Sequence, residues 1–564
     1  MCLTVYCAQP RFHFHMQNND PDDLRQYIRR IDTALSVAAT AATTIDTQKV
    51  DAFTRRRFHL PRRLRGTGLR LLEQVAPAAF IGCALQCMPR LINSDVSGAG
   101  FMPSLTDLFG AGSFDSGNEG TRFQTLLASP GAFSTAFRHH WTDMASKAQL
   151  DLNFGQAQND DLPPLPDTWF LSSPVPAAGV LLLPGLPVLH CAKPQKRLTF
   201  EREQAILDSL TAEVDTFSVD DKRRAAFLSA DKFGTTTHFC GSWPSKRHII
   251  DNDALHEGYA TTFGLPSPAC RPLAGRRFRK QYSGQWHHLD DYGTKLLTLP
   301  LDGRRKWLHD HLKWIIHGFA NRVDADLCAE VMDLFSPYIS QYEVFLRNHD
   351  ERTRQGMIPD FLLTADGERK LLDVKTLAGP SAYNKAALRD PRTRCKAVEV
   401  RAAAVNTGCT LKARKLDDRY NQVPRFLPGT HQDSGQVGPV WQRLKQYGRV
   451  EGLVIGCYSE CSTALHALLK TLAEVGAAHT WREMGASDET EAGGVLLNEF
   501  RRTLGIAATR HWALLKLDRL DHFYATDAAG ASQRRRKSQK EHRSWDDMYY
   551  TRHGPDTYGR SPLD

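Results

Sequence analysis

No Cys-x-x-Cys pair occurs among the twelve cysteines of this 564-residue chain, which excludes the usual zinc-ribbon and dithiol redox arrangements. The cysteines also lack the spacing of a secreted disulfide framework, and Cys83-x-x-x-Cys87 and Cys457-x-x-x-Cys461 read as buried thiols. With no signal peptide in the reading, the expected compartment is reducing, intracellular and nuclear. The most apolar run, Val180 to Leu189, is short and broken by Pro184 and Pro187, so nothing is expected to span a membrane. There is no Gly-rich nucleotide loop, no nucleophile elbow and no zincin helix, and no internal repeat.

What remains is an ordinary globular composition, 41% hydrophobic and 24% charged, with a length that predicts about three or four domains. A net charge of +9 is a mild bias toward polyanionic partners. The basic residues gather at Arg55 to Arg70, at Arg271 to Lys280, and in the tail from Arg534 to Lys537 with Lys540 and Arg543. Only the middle cluster has aromatics interleaved (Phe278, Tyr282, Trp286). The tail cluster is open between a solvated end, an import signal and a nucleic-acid arm.

The most informative stretch runs from Met357 to Lys375. Asp366-Gly367 is a strong two-residue hairpin signal, because the left-handed backbone it allows suits the twist of the flanking strands. With those two residues as the loop, Ala365 pairs with Glu368 and Asp360 falls opposite Asp373. Their Cβ atoms are then expected roughly 5 Å apart. Strand alternation puts Lys375 on the face of Asp373. Facing carboxylates cost stability unless something cationic lies between them, and a divalent metal is the natural candidate. Mg²⁺ needs only one or two carboxylates to sit beside a phosphate, where it can generate a hydroxide while a nearby ammonium stabilises developing charge.

Pro359-Asp360 followed by Asp373-Val374-Lys375 resembles the signature of the PD-(D/E)XK, restriction-endonuclease-like nucleases. The resemblance implies that the two acids ligate Mg²⁺ or Mn²⁺, that Lys375 positions or activates water, and that an upstream glutamate completes the site. Glu330 and Glu343 are the candidates for that glutamate, with Glu330 favoured for its apolar flanks. The expected fold class is α/β, a restriction-endonuclease-like core of mixed sheet flanked by helices, with a mainly helical N-terminal region. The neighbouring pattern agrees. Arg305 to Ala320 has apolar residues at helical spacing, Ala386 to Lys412 is helix-compatible, Val450 to Cys457 reads as a buried strand, and Leu465, Leu468, Leu469 and Leu472 mark a following helix. That strand–helix alternation predicts a crossover into a partly parallel sheet. Arg394, Lys396, Arg401 and Lys412 are available to phosphates, and His309 is expected to face one.

A second resemblance is more specific. Leu60-Pro61, the basic patch to Arg65, Gly66-Thr67-Gly68-Leu69 and the alanine-rich Val75 to Gly82 resemble the segment after the polymerase domain in non-LTR retrotransposon proteins. Arg65 stands where the first glycine of that pattern belongs. In the clade with a restriction-like endonuclease, a small zinc module then leads into the nuclease. Here Asp290 and Gly293 remain, but Lys295 and Leu299 replace the histidine and last cysteine, so no structural zinc is expected there. His287-His288 with Asp290-Asp291 reads as a polar loop. No polymerase Asp-Asp motif is present. The resemblance implies a fragment or domesticated descendant of such an element, a Mg²⁺-dependent endonuclease that nicks target DNA, with DNA as partner and element RNA as a further candidate. The alternative is a catalytically inactive nucleic-acid-binding remnant.

The organisation read from the sequence is a helical region over 1–150, a Pro-rich connector over 151–200, and a helical and basic-loop region with the degenerate zinc module over 201–300. The nuclease-like domain follows over 301–476, then a helical extension over 477–522 and a basic polar tail over 523–564.

Overall fold

The computed structural model describes residues 12–46, 49–93, 132–148, 194–230, 233–241, 250–279, 286–298, 304–329, 334–339, 359–365, 367–378 and 397–524. The chain divides into two compact units, Met1–Thr216 and Phe217–Asp564.

The described part of the first unit is helical. Its longer helices are α1 (Pro21–Thr43), α2 (Leu72–Asn93), α3 (Ala132–Ala148) and α4 (Pro194–Thr216), with α2 packed against the other three. Asp20 caps α1 by accepting from Asp22 N (2.9 Å), as short polar side chains do for the unpaired N–H groups of a first turn. Buried Asp32 on α1 does the same for α2, accepting from Leu72 N (2.8 Å) and Glu73 N (3.0 Å). The Leu60-to-Arg70 turn is tightly built. Arg65, at the glycine position of the resembled pattern, has φ +71°, a left-handed conformation that glycine adopts without steric cost. A Cβ on the next residue, Gly66, would lie 2.0 Å from Leu60 O.

The second unit is mixed α/β. It contains α5 (Asn252–Phe263), a short hairpin of β1 (Arg277–Arg279) and β2 (Trp286–His288), then α6 (Arg304–Arg322) and β3 (Leu327–Ala329). The strands β4 (Phe361–Ala365) and β5 (Glu368–Leu377) follow, then α7 (Ala397–Tyr420), α8 (Pro439–Lys445), β6 (Glu451–Gly456), α9 (Thr463–Thr480) and α10 (Glu489–Tyr524). The sheet order is β3-β4-β5-β6, antiparallel for the first two pairings and parallel between β5 and β6. The expected α/β class and crossover are therefore present, as a small mixed sheet within a mainly helical chain. Ala386 to Lys412 was expected to be helical. The described helix starts at Ala397 and runs past Lys412 to Tyr420, while residues 386–396 lie outside the described residues.

α7 covers one sheet face. Val398 and Ala402 pack on Leu377 and Val454, and Val405, Cys409 and Leu416 pack with Leu371. The contact is close because β6 carries Gly452, where a Cβ would lie 2.7 Å from Ala402 Cα. The long helix α10 packs on α9, α6 and α5.

The region around Asp290 and Gly293, expected to be a degenerate zinc module, is held by a buried ion pair and a capped turn. Cys270 is fully buried, and burial raises its thiol pKa to about 11, so it is not a thiolate. Asp290 accepts from Thr294 N (2.7 Å) and starts a helical turn. Beside Cys270, Lys516 of α10 donates to Glu257 of α5 (2.9 Å), and Ser267 Oγ (2.6 Å) and Ala269 N (3.0 Å) also donate to that carboxylate. Both charged side chains are almost fully buried, and a buried pair with one partner removed leaves an uncompensated charge. Lys516→Met is therefore expected to lower unfolding free energy by about 3–5 kcal/mol in chemical denaturation. Adding Glu257→Gln should recover part of the loss.

Candidate active site

The hairpin forms in the expected register. Ala365 pairs with Glu368 and Phe361 with Leu372, and Gly367 has φ +77°, as a two-residue hairpin loop requires. Asp366 lies outside the described residues. β4 stops at Phe361, and just before it the Asp360 carboxylate takes over the ladder, its Oδ2 accepting from Val374 N (2.7 Å). Asp373 and Lys375 alternate with Leu371 and Leu377 along β5, so all four share the face packed under α7. Lys375 Nζ lies 2.7 Å from Asp373 Oδ1 and 2.6 Å from Oδ2. Asp360, Asp373 and Lys375 are thus gathered in one place.

α6 supplies further partners to this site from 65 residues earlier in the chain. His309 Nε2 lies 2.9 Å from Val374 O and 3.3 Å from Asp360 Oδ2, and its Nδ1 lies 3.0 Å from Asp310 Oδ1. A carbonyl and a carboxylate can only accept, so both ring nitrogens carry protons and the ring is an imidazolium. Burial opposes that charge, but the hydrogen bonds to Asp310 and Asp360 outweigh it and lift the pKa to about 9. One helical turn on, the buried Lys313 has its Nζ 4.0 Å from Asp360 Oδ1. His309 was expected to face a substrate phosphate; both of its nitrogens are engaged inside the protein. The available signal was polar His309 and Lys313, four residues apart, set against the apolar stripe of Leu308, Leu312 and Ile316.

The two acids are electrostatically unequal. Burial raises the Asp360 carboxyl, but the hydrogen bond and charge of His309, with the charge of Lys375, bring its pKa down to about 2. For Asp373 burial dominates, and although Lys375 pulls the other way, the Asp360 charge adds to the burial and its pKa is raised. Cys409 of α7 lies near this pair as a neutral thiol, its pKa raised to about 11 by burial and by the Asp373 charge.

The donor set of two carboxylates suits a hard divalent cation such as Mg²⁺. Such an ion would take the place of the Lys375 ammonium on Asp373 and leave Asp360 held by His309. Glu330 and Glu343, the candidates for a third acid, lie outside the described residues, as do Arg394 and Lys396. Arg401 is half-buried on α7. Among the described residues the one cluster of three or more groups with metal-ligand spacing is elsewhere, at Asp22, His139 and His140. In comparisons with known proteins, no family matches the chain and no curated protein does. No described helix is long and apolar enough to cross a membrane.

Because the folded pKa of His309 lies above its ordinary 6.5, its contribution to stability is complete below pH 6.5 and is lost as pH rises through about 9. His309→Gln is expected to be less stable than wild type by roughly 2–3 kcal/mol at pH 6. The gap should close above about pH 9 in denaturation curves taken across that range.

Proposed function

We propose that the second unit is a metal-dependent DNA endonuclease, a restriction-endonuclease-like core of the kind carried by non-LTR retrotransposon proteins. The observation that carries this reading is the gathering of Asp360, Asp373 and Lys375 at the point where β4 leaves β5. Those residue types, in that order, one just before β4 and two on β5, are what the resembled nuclease signature requires.

Bound between the two carboxylates, Mg²⁺ or Mn²⁺ would supply Lewis-acid activation of water and of the scissile phosphate. The chain's own residues do the rest. His309 holds Asp360 ionised and fixes its orientation through Val374 and Asp310. Asp373, raised in pKa by burial and by the Asp360 charge, is the acid whose charge most needs a cation beside it, the Lys375 ammonium or a bound metal ion. Lys375, released from Asp373, reaches toward the phosphodiester and stabilises charge as water attacks phosphorus and the 3′ oxygen leaves. A 3′ hydroxyl is the product a retroelement would use as primer.

DNA as substrate is supported by α7. Arg401, Lys412, Lys415 and Arg419 fall within about 60° of one another around that helix and span roughly 27 Å along it. The stripe runs beside the buried face that covers Asp373. Phosphates recur every ~3.4 Å along each DNA strand, so this row tracks a backbone leading to the acids.

A second reading has its own observation. His309 and Lys375 neutralise Asp360 and Asp373 from within the chain, an arrangement also compatible with a catalytically inactive, nucleic-acid-binding remnant. Plasmid nicking in Mg²⁺ or Mn²⁺ separates the two. Asp373→Ala and Lys375→Ala are each expected to lower the nicking rate by on the order of 10²–10³-fold. Equal background from wild type and both variants, with salt-dependent DNA binding retained, would leave only the remnant.

The stripe makes a separate prediction. Lys415→Glu with Arg419→Glu should weaken DNA binding at low salt and flatten the plot of log affinity against log salt by about 1–2 in slope.

A further inference from the structure

We propose that the first unit holds a transition-metal ion of the zinc class between the N-terminal turn of α1 and the middle of α3, with His139, His140 and Asp22 as its ligands. Neighbouring residues on a helix point about 100° apart, so a His-His pair seldom aims at one target. Here both rings turn to one carboxylate, that of Asp22. His140 Nε2 lies 2.8 Å from Asp20 Oδ1 and 4.0 Å from Asp22 Oδ2, and His139 Nε2 lies 3.6 Å from that same Asp22 Oδ2. Arg25 pairs with the other oxygen, Asp22 Oδ1, which leaves Oδ2 toward the imidazoles.

The spacing suits a small four-coordinate ion. Zinc binds imidazole nitrogen and carboxylate oxygen at about 2.0–2.2 Å, and a tetrahedron of that radius has edges of roughly 3.3–3.5 Å. The distances from the two imidazole nitrogens to Asp22 Oδ2, 3.6 and 4.0 Å, are a little longer than that edge, and the ligand atoms of Asp22, His139 and His140 lie within 4.8 Å of one another. On binding, the neutral His140 ring would take its Nδ1–H tautomer, so that the Nε2 lone pair meets the metal in place of the hydrogen bond to Asp20. Asp20 Oδ1 keeps its bond from Asp22 N, and a water would fill the fourth position.

One half of the site is rigid and the other open. His140 is buried, with its ring in edge contact with Phe80 (5.8 Å), while the His139 side chain is 60% exposed and gives the ion a way in. The first turn of α1 carries a partial positive charge of about +0.5 from its unpaired N–H groups, which would repel a cation. Asp20, Asp22 and Asp23 offset it. Two imidazoles favour zinc, nickel or copper, whereas magnesium prefers oxygen alone.

The test uses the full chain carrying Asp373→Ala, so that the acids of the second unit do not contribute, with zinc sulfate followed by calorimetry and cobalt chloride by visible absorption. We expect saturable zinc binding, tetrahedral cobalt bands, and a zinc-dependent rise in melting temperature that magnesium does not reproduce. His139→Ala, at an exposed position that should leave the fold intact by circular dichroism, and Asp22→Asn should each weaken zinc binding at least ~10-fold. Zinc affinity unchanged in both variants would overturn the proposal and leave His140–Asp20 as a plain hydrogen bond. So would the absence of saturable binding in the parent.

Discussion

Where β4 ends and β5 continues, two carboxylates are placed side by side in a water-poor setting, and every neighbouring element answers to their charge. Asp360 and Asp373 face each other because a two-residue loop fixes the pairing of their strands. α6 brings an imidazolium and a buried ammonium to one acid, and β5 brings the Lys375 ammonium to the other. The parallel strand β6 and the helix α7 then wall the site on the remaining sides. Remove the cations, and the two acids could not both be ionised at such close range.

The unit contains a second buried ion pair, and the contrast between the two is instructive. Lys516 and Glu257 are sealed from water, and the carboxylate also accepts from Ser267 Oγ and Ala269 N. That pair is held from both sides, since Lys516 Nζ also donates to Thr261 Oγ1 (3.3 Å). Lys375 and Asp373 differ, because the lysine side chain keeps about a quarter of its surface in solvent. The same chemistry, a lysine on a carboxylate, is sealed in one place and reached by solvent in the other.

How much of this was legible beforehand follows from the range of each interaction. The hairpin register was readable, since Asp-Gly fixes a turn and strand alternation propagates it to Asp360, Asp373 and Lys375 without reference to the rest of the chain. α6, β6 and α9 were readable from apolar periodicity, which is equally local. The role of His309 was not, because it depends on contacts 65 residues away along the chain, and nothing in the helix itself says which polar residue turns inward. The span after residue 476 reads as a helical piece, but its function as a brace for α5, α6 and α9 rests on tertiary packing of α10. The His139–His140 cluster escaped for the same reason, since its carboxylates lie 120 residues earlier in a segment whose acids look like ordinary helix-start residues.

Val374 has its N–H taken by Asp360 and its C=O taken by His309, side chains standing where another strand would pair. An exposed strand margin is a template for stray β-pairing between chains, and proteins spend charge or bulges to blunt it. Here the blunting groups are the same ones that build the acidic site. Variants that lose Asp360 or His309 would therefore uncover a sticky border on β5 as well as altering the chemistry beside it, and self-association becomes a distinct way for such a chain to fail.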